Sequence, residues 1–363
     1  MVKNNNINYT FKLLYALGII LVVAGHCNGG GFSIFYEYFP IYAFHLGLFV
    51  FASGYFYNPE NENNIKNYII KKIKHLLLPL YLWNIFYACL VYILKNFGFF
   101  PDVVINLKSI FMDPILHGHQ FVLNLGGWFI IPLFMIHIIN ILVRKIFMHY
   151  KIKINENIYF IISLILGLVG VRIAYLGFNT NWYLVLDRVL YFIPFYSLGI
   201  LYKKYEKYDR LPSVVYFSII MGIVIFFIFL KDSIPGFTIS WCNDFTSNPL
   251  SPFVVGFLGI AFWLRIAKIL EPVVGRNKYI NIIADNTYSI MINQFLGFMI
   301  VKTLFAFISK YSGYFNNFDM YKYKTDIWYY YIPHNLSQLL ILYLIAGIIF
   351  PIIVQLTINK LKK

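Results

Sequence analysis

Two histidines lie in apolar stretches near the N-terminus, where an ionisable side chain is costly. His26 ends the run LVVAGH shortly before three glycines at 29–31, and His45 lies in FHLGLFVFASGYFY, residues 44–57. A neutral imidazole accepts a proton near neutral pH, so either histidine could act as a general base on a substrate hydroxyl. The alternative is a histidine that packs against a neighbouring helix, which is the more usual role for His45 taken alone.

Glu37 lies in the turn between these two apolar runs. A carboxylate partner would fix the tautomer of an imidazole and favour its charged form. A solvated charge at the edge of a membrane explains Glu37 equally well. The glycines permit a tight turn or a close approach of the backbone to a ligand. The candidate catalytic set is therefore His26, Glu37 and His45.

The composition places these residues in a membrane protein. Of 363 residues, 60% are hydrophobic and 12% are charged, whereas roughly a quarter of the residues in soluble domains are charged. Apolar runs long enough to cross a bilayer recur along the whole chain. We predict an all-α polytopic membrane protein that forms a single domain, residues 1–363. Its ten predicted spans lie near 11–28, 38–57, 76–95, 127–146, 157–177, 186–202, 213–230, 250–270, 283–308 and 334–357.

The basic residues indicate the orientation of these spans. If the N-terminus is inside, most of the 30 lysines and arginines lie on the cytoplasmic side, so both termini are predicted to be cytoplasmic. The same pattern explains the net charge of +15. Because that charge is spread over alternate loops, no nucleic-acid partner is predicted. Three widely spaced cysteines indicate neither a disulfide framework nor a metal site.

Further candidates lie in or beside the later spans. Arg172 lies inside the fifth span, where an arginine must face a partner or a wet cavity. Arg188 follows Asp187 at the start of the sixth span, a pattern typical of a local ion pair at the interface. The predicted external loops 96–126 and 310–326 are rich in aromatic residues, which fits either an aromatic belt at the headgroups or a platform for sugar rings.

Several stretches together resemble the membrane-bound acyltransferase-3 family. They are LLYALGIILVVAGH (13–26), FHLGLFVFASGYFY (44–57), KKIKHLLLPLYLW (71–83), WFIIPLFMI (128–136) and NTYSIMINQ (286–294). The resemblance implies ten core spans and transfer of an acyl group, usually acetyl, from cytoplasmic acyl-CoA to hydroxyls of cell-envelope carbohydrates. It implies that His26 is the essential histidine at the end of the first span, and it adds Trp128 to the candidates.

The sequence departs from the family pattern at two positions. Family members usually carry arginine or lysine eleven residues before the histidine, where this chain has Tyr15. Eleven residues return to nearly the same helix face, about 16 Å away, so Tyr15 lines the same stripe as His26. Lys12, one turn lower, could supply the cation instead. Gln294 occupies the place of a late family histidine and can only hydrogen-bond a substrate.

A basic cluster precedes the third span. Lys71 and Lys72, with Lys74 and His75 beside them, fit simple positive-inside anchoring. The resemblance implies a second role, in which these side chains bind the phosphates of CoA. Acyl-CoA is then a co-substrate, and no permanently bound cofactor or metal is expected.

These observations predict an O-acyltransferase of the plasma membrane that acts on a cell-surface polysaccharide or lipid-linked saccharide. His26 would deprotonate the acceptor hydroxyl, and Arg172 or a backbone N–H would stabilise the oxyanion. A relay through an acylated side chain is a second route. The alternatives are a polysaccharide transporter or polymerase and a sensor without catalysis. Clear repeats with broken helices would favour a transporter. The departures from the family pattern at Tyr15 and Gln294 are consistent with a sensor.

Overall fold

The computed structural model describes residues 7–27, 41–231 and 237–361. Within these ranges the chain forms helices and loops and no β-strand, apart from one isolated bridge between Thr238 and Asn243. The all-α prediction is therefore confirmed. The α-helices are α1 Tyr9–His26, α2 Ile41–Tyr55, α3 Ile65–Lys72, α4 Leu78–Lys95, α5 Leu107–Phe111, α6 Asp113–Leu116, α7 Ile130–His149, α8 Glu156–Tyr175, α9 Asn181–Tyr205, α10 Ser213–Lys231, α11 Ser251–Val274, α12 Lys278–Asp285, α13 Thr287–Ser312, α14 Met320–Thr325 and α15 Leu340–Leu361.

In the described ranges, eight helical segments are long and apolar enough to cross a membrane. They coincide with eight of the ten predicted spans. The other two predicted spans correspond to α2, which has 15 residues, and to α10, which is apolar over Ser213–Phe229. The sixth predicted span, 186–202, belongs to the 25-residue helix α9, which continues through Pro194. The cytoplasmic position of the termini stays a prediction.

Helix α1 contacts α2, α11, α12, α13 and α15 and so lies among the main helices of the bundle. It begins after Asn8, whose side-chain oxygen accepts a hydrogen bond from the Phe11 N–H at 3.1 Å, an N-cap that satisfies a free backbone donor. Its apolar side chains are buried almost all round. We call the end of the bundle at the first turn of α1 the Lys12 end and the opposite end the His26 end.

Helices α2 and α9 touch backbone to backbone. A Cβ atom at Gly54 would lie 1.9 Å from the carbonyl oxygen of Tyr196, and one at Gly199 would lie 2.0 Å from that of Phe51. Small residues that allow such close contact are typical of packed membrane helices. This contact holds His45 on α2 in a fixed position relative to Arg188 on α9.

Polar side chains fasten the loops of the His26 end to α4. Asn84 donates to the carbonyl oxygen of Ile110 at 2.5 Å and accepts from Gln120 Nε2 at 2.6 Å and from Asn124 Nδ2 at 3.3 Å. The Asn84 side chain is fully buried, where such bonds compensate its desolvation. The loop over residues 117–124 is thereby held against the helices, and it contributes His119 to the site below.

Candidate active site

A cavity of about 510 Å³ lies at the His26 end of the bundle, and we call it the histidine cavity. Its wall includes three imidazoles, from His26, His45 and His119. It also includes three indoles, from Trp128, Trp241 and Trp328. Helices α1 and α2 thus bring His26 and His45 to one cavity.

Gln294 on α13 fixes the position and the tautomer of His26. Its Nε2 donates to the carbonyl oxygen of Met291 at 3.1 Å, so its Oε1 is the atom that lies 3.0 Å from His26 Nδ1. Because an amide oxygen only accepts, Nδ1 must carry the hydrogen of the neutral ring. The lone pair of His26 is then on Nε2, which is the arrangement that a general base requires.

Tyr42 lies between the two membrane histidines. Its hydroxyl donates to the carbonyl oxygen of Gly25 at 2.5 Å, and its ring centroid lies 5.6 Å from that of His45 and 6.2 Å from that of His26. His45 itself is only 3% exposed. Tyr42 therefore ties the start of α2 to the end of α1 beside the histidine cavity.

Four side chains stack in layers along the cavity wall. The His119 ring lies 4.3 Å from Trp241 and 6.5 Å from Trp128, with interplanar angles of 20° and 24°. The Arg188 guanidinium lies 4.5 Å from the Trp128 ring, on which it makes a cation–π contact. Burial, together with the positive charge of Arg188, lowers the pKa of His119 to about 3. His119 is therefore neutral at physiological pH.

Arg188 joins two loops rather than pairing with Asp187. Its Nη2 donates to the carbonyl oxygen of His117 at 3.0 Å, and its Nε donates to that of Ser240 at 3.1 Å. Both carboxylate oxygens of Asp187 are buried without a hydrogen-bond partner among the described residues. The predicted local ion pair is therefore wrong, because adjacent helix residues point about 100° apart.

Gly118 and Gly126 allow the loops to approach Trp128 and α13. Gly118 has φ +74°, and a Cβ there would lie 2.5 Å from Trp128 Cβ. A Cβ at Gly126 would lie 2.2 Å from the Met291 carbonyl oxygen, the same atom that orients Gln294. The positive φ of Gly118 is in the left-handed region, which residues with a side chain rarely adopt. Glycine at these two positions thus sets the shape of the cavity wall.

Tyr15 lines a second, smaller cavity on the same face of α1. This cavity of about 150 Å³, which we call the Tyr15 chamber, lies towards the Lys12 end. Tyr15 and Ile19 line the chamber, while Val22 and His26 line the histidine cavity. The structure therefore places Tyr15 on the stripe that leads to His26, as the eleven-residue spacing predicted.

The basic candidates at the Lys12 end take three different environments. Lys12 pairs with Asp285, with 2.9 Å between Nζ and Oδ2, and is not part of the chamber wall. Lys72 Nζ lies 3.1 Å from Nε2 of the buried His137, so it points into the protein. Lys71 is exposed, and Lys74 lines a groove of about 830 Å³.

The structure does not bring Arg172 into the site. Arg172 is exposed near the end of α8, and its guanidinium lies 5.1 Å from the ring of Tyr175. Its place as an oxyanion donor is therefore not supported by the geometry. Glu37 and the glycines at 29–31 lie outside the described residues. Within the described ranges, no group of three His, Cys, Asp or Glu side chains is arranged to hold a metal ion.

The comparisons with known proteins bear on this site. The family model for the acyltransferase domain of the acyltransferase-3 family matches residues 8–303, well over half of the chain. The chain belongs to the acyltransferase-3 family. The match includes α1, α2, α4, α7 and most of α13, and it supports acyl transfer by a multi-pass membrane protein. No curated protein and no solved structure was found to match the chain.

Sequence reasoning missed three side chains of the histidine cavity. His119, Trp241 and Trp328 come from loops far apart in the chain, and each lines the histidine cavity. The composition of the loop 96–126 was the available signal for His119, whereas Trp328 lies just beyond the loop 310–326. Nothing local marks Trp241, because long-range contacts of its loop, such as the hydrogen bond from Arg188 to the Ser240 carbonyl, bring it over His119.

Proposed function

We propose that this acyltransferase-3 protein transfers an acyl group, in the simplest case acetyl, from acyl-CoA to a hydroxyl of a cell-envelope carbohydrate, with His26 as the general base. The observation that carries the proposal is the contact between His26 Nδ1 and Gln294 Oε1 at 3.0 Å. This contact leaves Nε2 as the basic atom of an imidazole that lines a cavity of about 510 Å³. A packing histidine does not require this arrangement.

The wall of the histidine cavity suits a sugar ring as the acceptor. Trp241 and Trp328 line the cavity and are each 43% exposed, so both indole rings are accessible to a ligand. The indole of Trp328 lies 6.0 Å from the His26 ring. A saccharide lying on these indoles would present its hydroxyls to the base. In the proposed orientation this end faces the cell exterior.

The donor would enter from the Lys12 end. The groove that carries Lys74 shares Tyr288 with the Tyr15 chamber, and the chamber shares Phe129 and Met291 with the histidine cavity. The three spaces therefore form a series from the Lys12 end to His26. We propose that Lys71 and Lys74 bind the CoA phosphates, because they are the lysines of the cluster that are open to solvent.

The reaction is an ordinary acyl transfer. His26 Nε2 takes the proton of the acceptor hydroxyl while the hydroxyl oxygen attacks the thioester carbonyl carbon. The carbon–sulfur bond of the resulting tetrahedral intermediate then breaks, and the proton passes from His26 to the leaving thiolate. The products are the carbohydrate ester and free CoA. The indole N–H of Trp128, on the cavity wall, is the donor that we assign to the oxyanion in place of Arg172.

The remaining features of the proposal concern the whole protein. Residues 1–363 act as one domain in the plasma membrane, with both termini in the cytoplasm. The positive-inside distribution of lysine and arginine supports this orientation. Acyl-CoA and the carbohydrate are the two substrates, and the lipid bilayer is the remaining partner.

The test is the O-acyl content of the envelope polysaccharide in a strain that lacks the gene. Complementation with the wild type should restore acylation, and complementation with His26→Asn should not. The matched control is His149→Asn, because His149 is an exposed residue at the Lys12 end of α7. All three proteins must reach equal levels in the membrane.

Two outcomes would overturn the proposal. Full acylation with His26→Asn would make His26 a packing residue. If the strain that lacks the gene keeps normal acylation but makes polysaccharide of altered amount or chain length, the protein would instead be a transporter or polymerase.

A further inference from the structure

We infer that the Tyr15 chamber holds the acyl group of the donor and admits only a short, uncharged one. This inference rests on the proposed function, because it assumes an acyl donor that approaches His26 from the Lys12 end. It specifies a property that the family match leaves open, which is the kind of acyl group that is transferred.

The position of the chamber supports this role. Tyr15, Ile19, Val22 and His26 are spaced 4, 3 and 4 residues apart and so share one face of α1. The first two line the chamber and the last two line the histidine cavity. An acyl group in the chamber would therefore lie about two helical turns, roughly 10 Å, from the base.

Two side chains line both the chamber and the histidine cavity. Phe129 and Met291 belong to both walls. Phe129 is held by ring contacts with Trp128 at 6.1 Å and with Phe192 at 5.5 Å. Gly126, pressed against the Met291 backbone, sets the distance between α13 and the turn that carries Phe129. Rotation of these two side chains would open a thioester carbonyl in the chamber to attack from the acceptor side.

The size of the chamber limits the length of the acyl group. Its volume is about 150 Å³, and an apolar cavity of that size accepts a guest of about six carbon atoms, such as benzene. Tyr15 and Phe49 form part of its wall, and their rings stack at 5.8 Å. Acyl groups of about two to four carbons fit this space with the thioester, and an octanoyl chain does not.

The lining of the chamber excludes a charged acyl group. None of the described side chains on its wall is lysine, arginine or histidine, and its polar groups are the hydroxyls of Tyr15, Ser53, Thr287 and Tyr288. A carboxylate such as that of a succinyl group would be buried there without a cation, which is costly. The tyrosine at position 15 therefore favours a neutral acyl group.

The experiment measures transfer from acetyl-, butyryl-, octanoyl- and succinyl-CoA by the full-length protein in membrane vesicles. The wild type should use acetyl and butyryl groups and neither of the other two. Ser53→Leu fills the chamber and should lower the butyryl-to-acetyl ratio, and Phe49→Leu enlarges it and should raise that ratio. The expected size is about tenfold, the lower end of the effect of a methylene in an apolar pocket.

Phe160→Leu is the control, because Phe160 packs on Phe257 and lines neither cavity. Equal ratios in wild type and in both chamber variants, or efficient succinyl transfer by the wild type, would overturn the inference while the proposed function stands. If the wild type transfers no acyl group from any donor, the proposed function itself fails. Because the two variants act in opposite directions, a folding defect in one leaves the other decisive.

Discussion

Gln294 Oε1 accepts a hydrogen bond from His26 Nδ1 at 3.0 Å, across 268 residues of sequence. The acceptor, rather than the charge or length of the side chain, is what positions the imidazole. We therefore expect Gln294→Met to lower acyl transfer by tenfold or more, and Gln294→Glu, which keeps an acceptor oxygen for Nδ1 but loses the donor to the Met291 carbonyl, to lower it less. The measurement is initial transfer rate at equal membrane levels. Equal loss in both variants would show that only the packing of Gln294 matters.

Gly126 permits the contact that orients Gln294. In Gly126→Ala the added Cβ would meet the Met291 carbonyl oxygen at 2.2 Å, so α13 or the turn must move at a cost of about 1–3 kcal/mol. We expect a lower melting temperature in detergent and reduced transfer. Gly222→Ala is the control, since a Cβ there meets nothing within 4 Å. Identical behaviour of the two variants would contradict the packing described.

Arg188 should matter for its shape as well as its charge. It donates to carbonyls of two loops and stacks on Trp128, which a lysine cannot do together. Arg188→Lys should therefore lower the melting temperature and the transfer rate. Arg172→Lys, at an exposed arginine, should change neither. An active and equally stable Arg188→Lys would show that one positive charge suffices.

His119 should make stability depend on pH. Its pKa of about 3 in the folded protein lies below the value of about 6.5 of an unfolded histidine. Between these two pKa values the unfolded state binds more protons than the folded state. The contribution of His119 to the free energy of unfolding is therefore fully present above about pH 6.5 and falls as the pH drops towards 3. We expect the melting temperature of His119→Phe to fall less between pH 7 and pH 5 than that of the wild type. A parallel decline in both proteins would contradict a neutral, buried His119.

The helices and the stripe on α1 could be predicted from sequence because they depend on periodicities within single segments. Tyr15 and His26 share a face through helix geometry alone, and long apolar runs mark the spans. The orientation of Arg188 could not be predicted, since its partners are carbonyl oxygens of distant loops. Proximity in sequence suggested Asp187, but neighbouring positions on a helix face different directions.

The basic candidates show the same limit. Lysines near a membrane surface can bind a ligand, pair with an acid or anchor the chain, and composition does not separate these roles. Lys12 pairs with Asp285, which is 273 residues away, and Lys72 meets a histidine of α7. Only the tertiary structure shows that Lys71 and Lys74 are the lysines of this cluster that remain open to solvent.

The shared wall of Phe129 and Met291 has a consequence for transport. A lipid bilayer presents a hydrocarbon layer of about 30 Å to any polar group that must cross it. Between the Tyr15 chamber and the histidine cavity, the wall that both spaces share includes Phe129 and Met291. Under the proposed function, passage would then require rotation of a phenylalanine and a methionine rather than rocking of whole helices. The acyl group could cross at the rate of side-chain motion, without the slower alternation of access that transporters need.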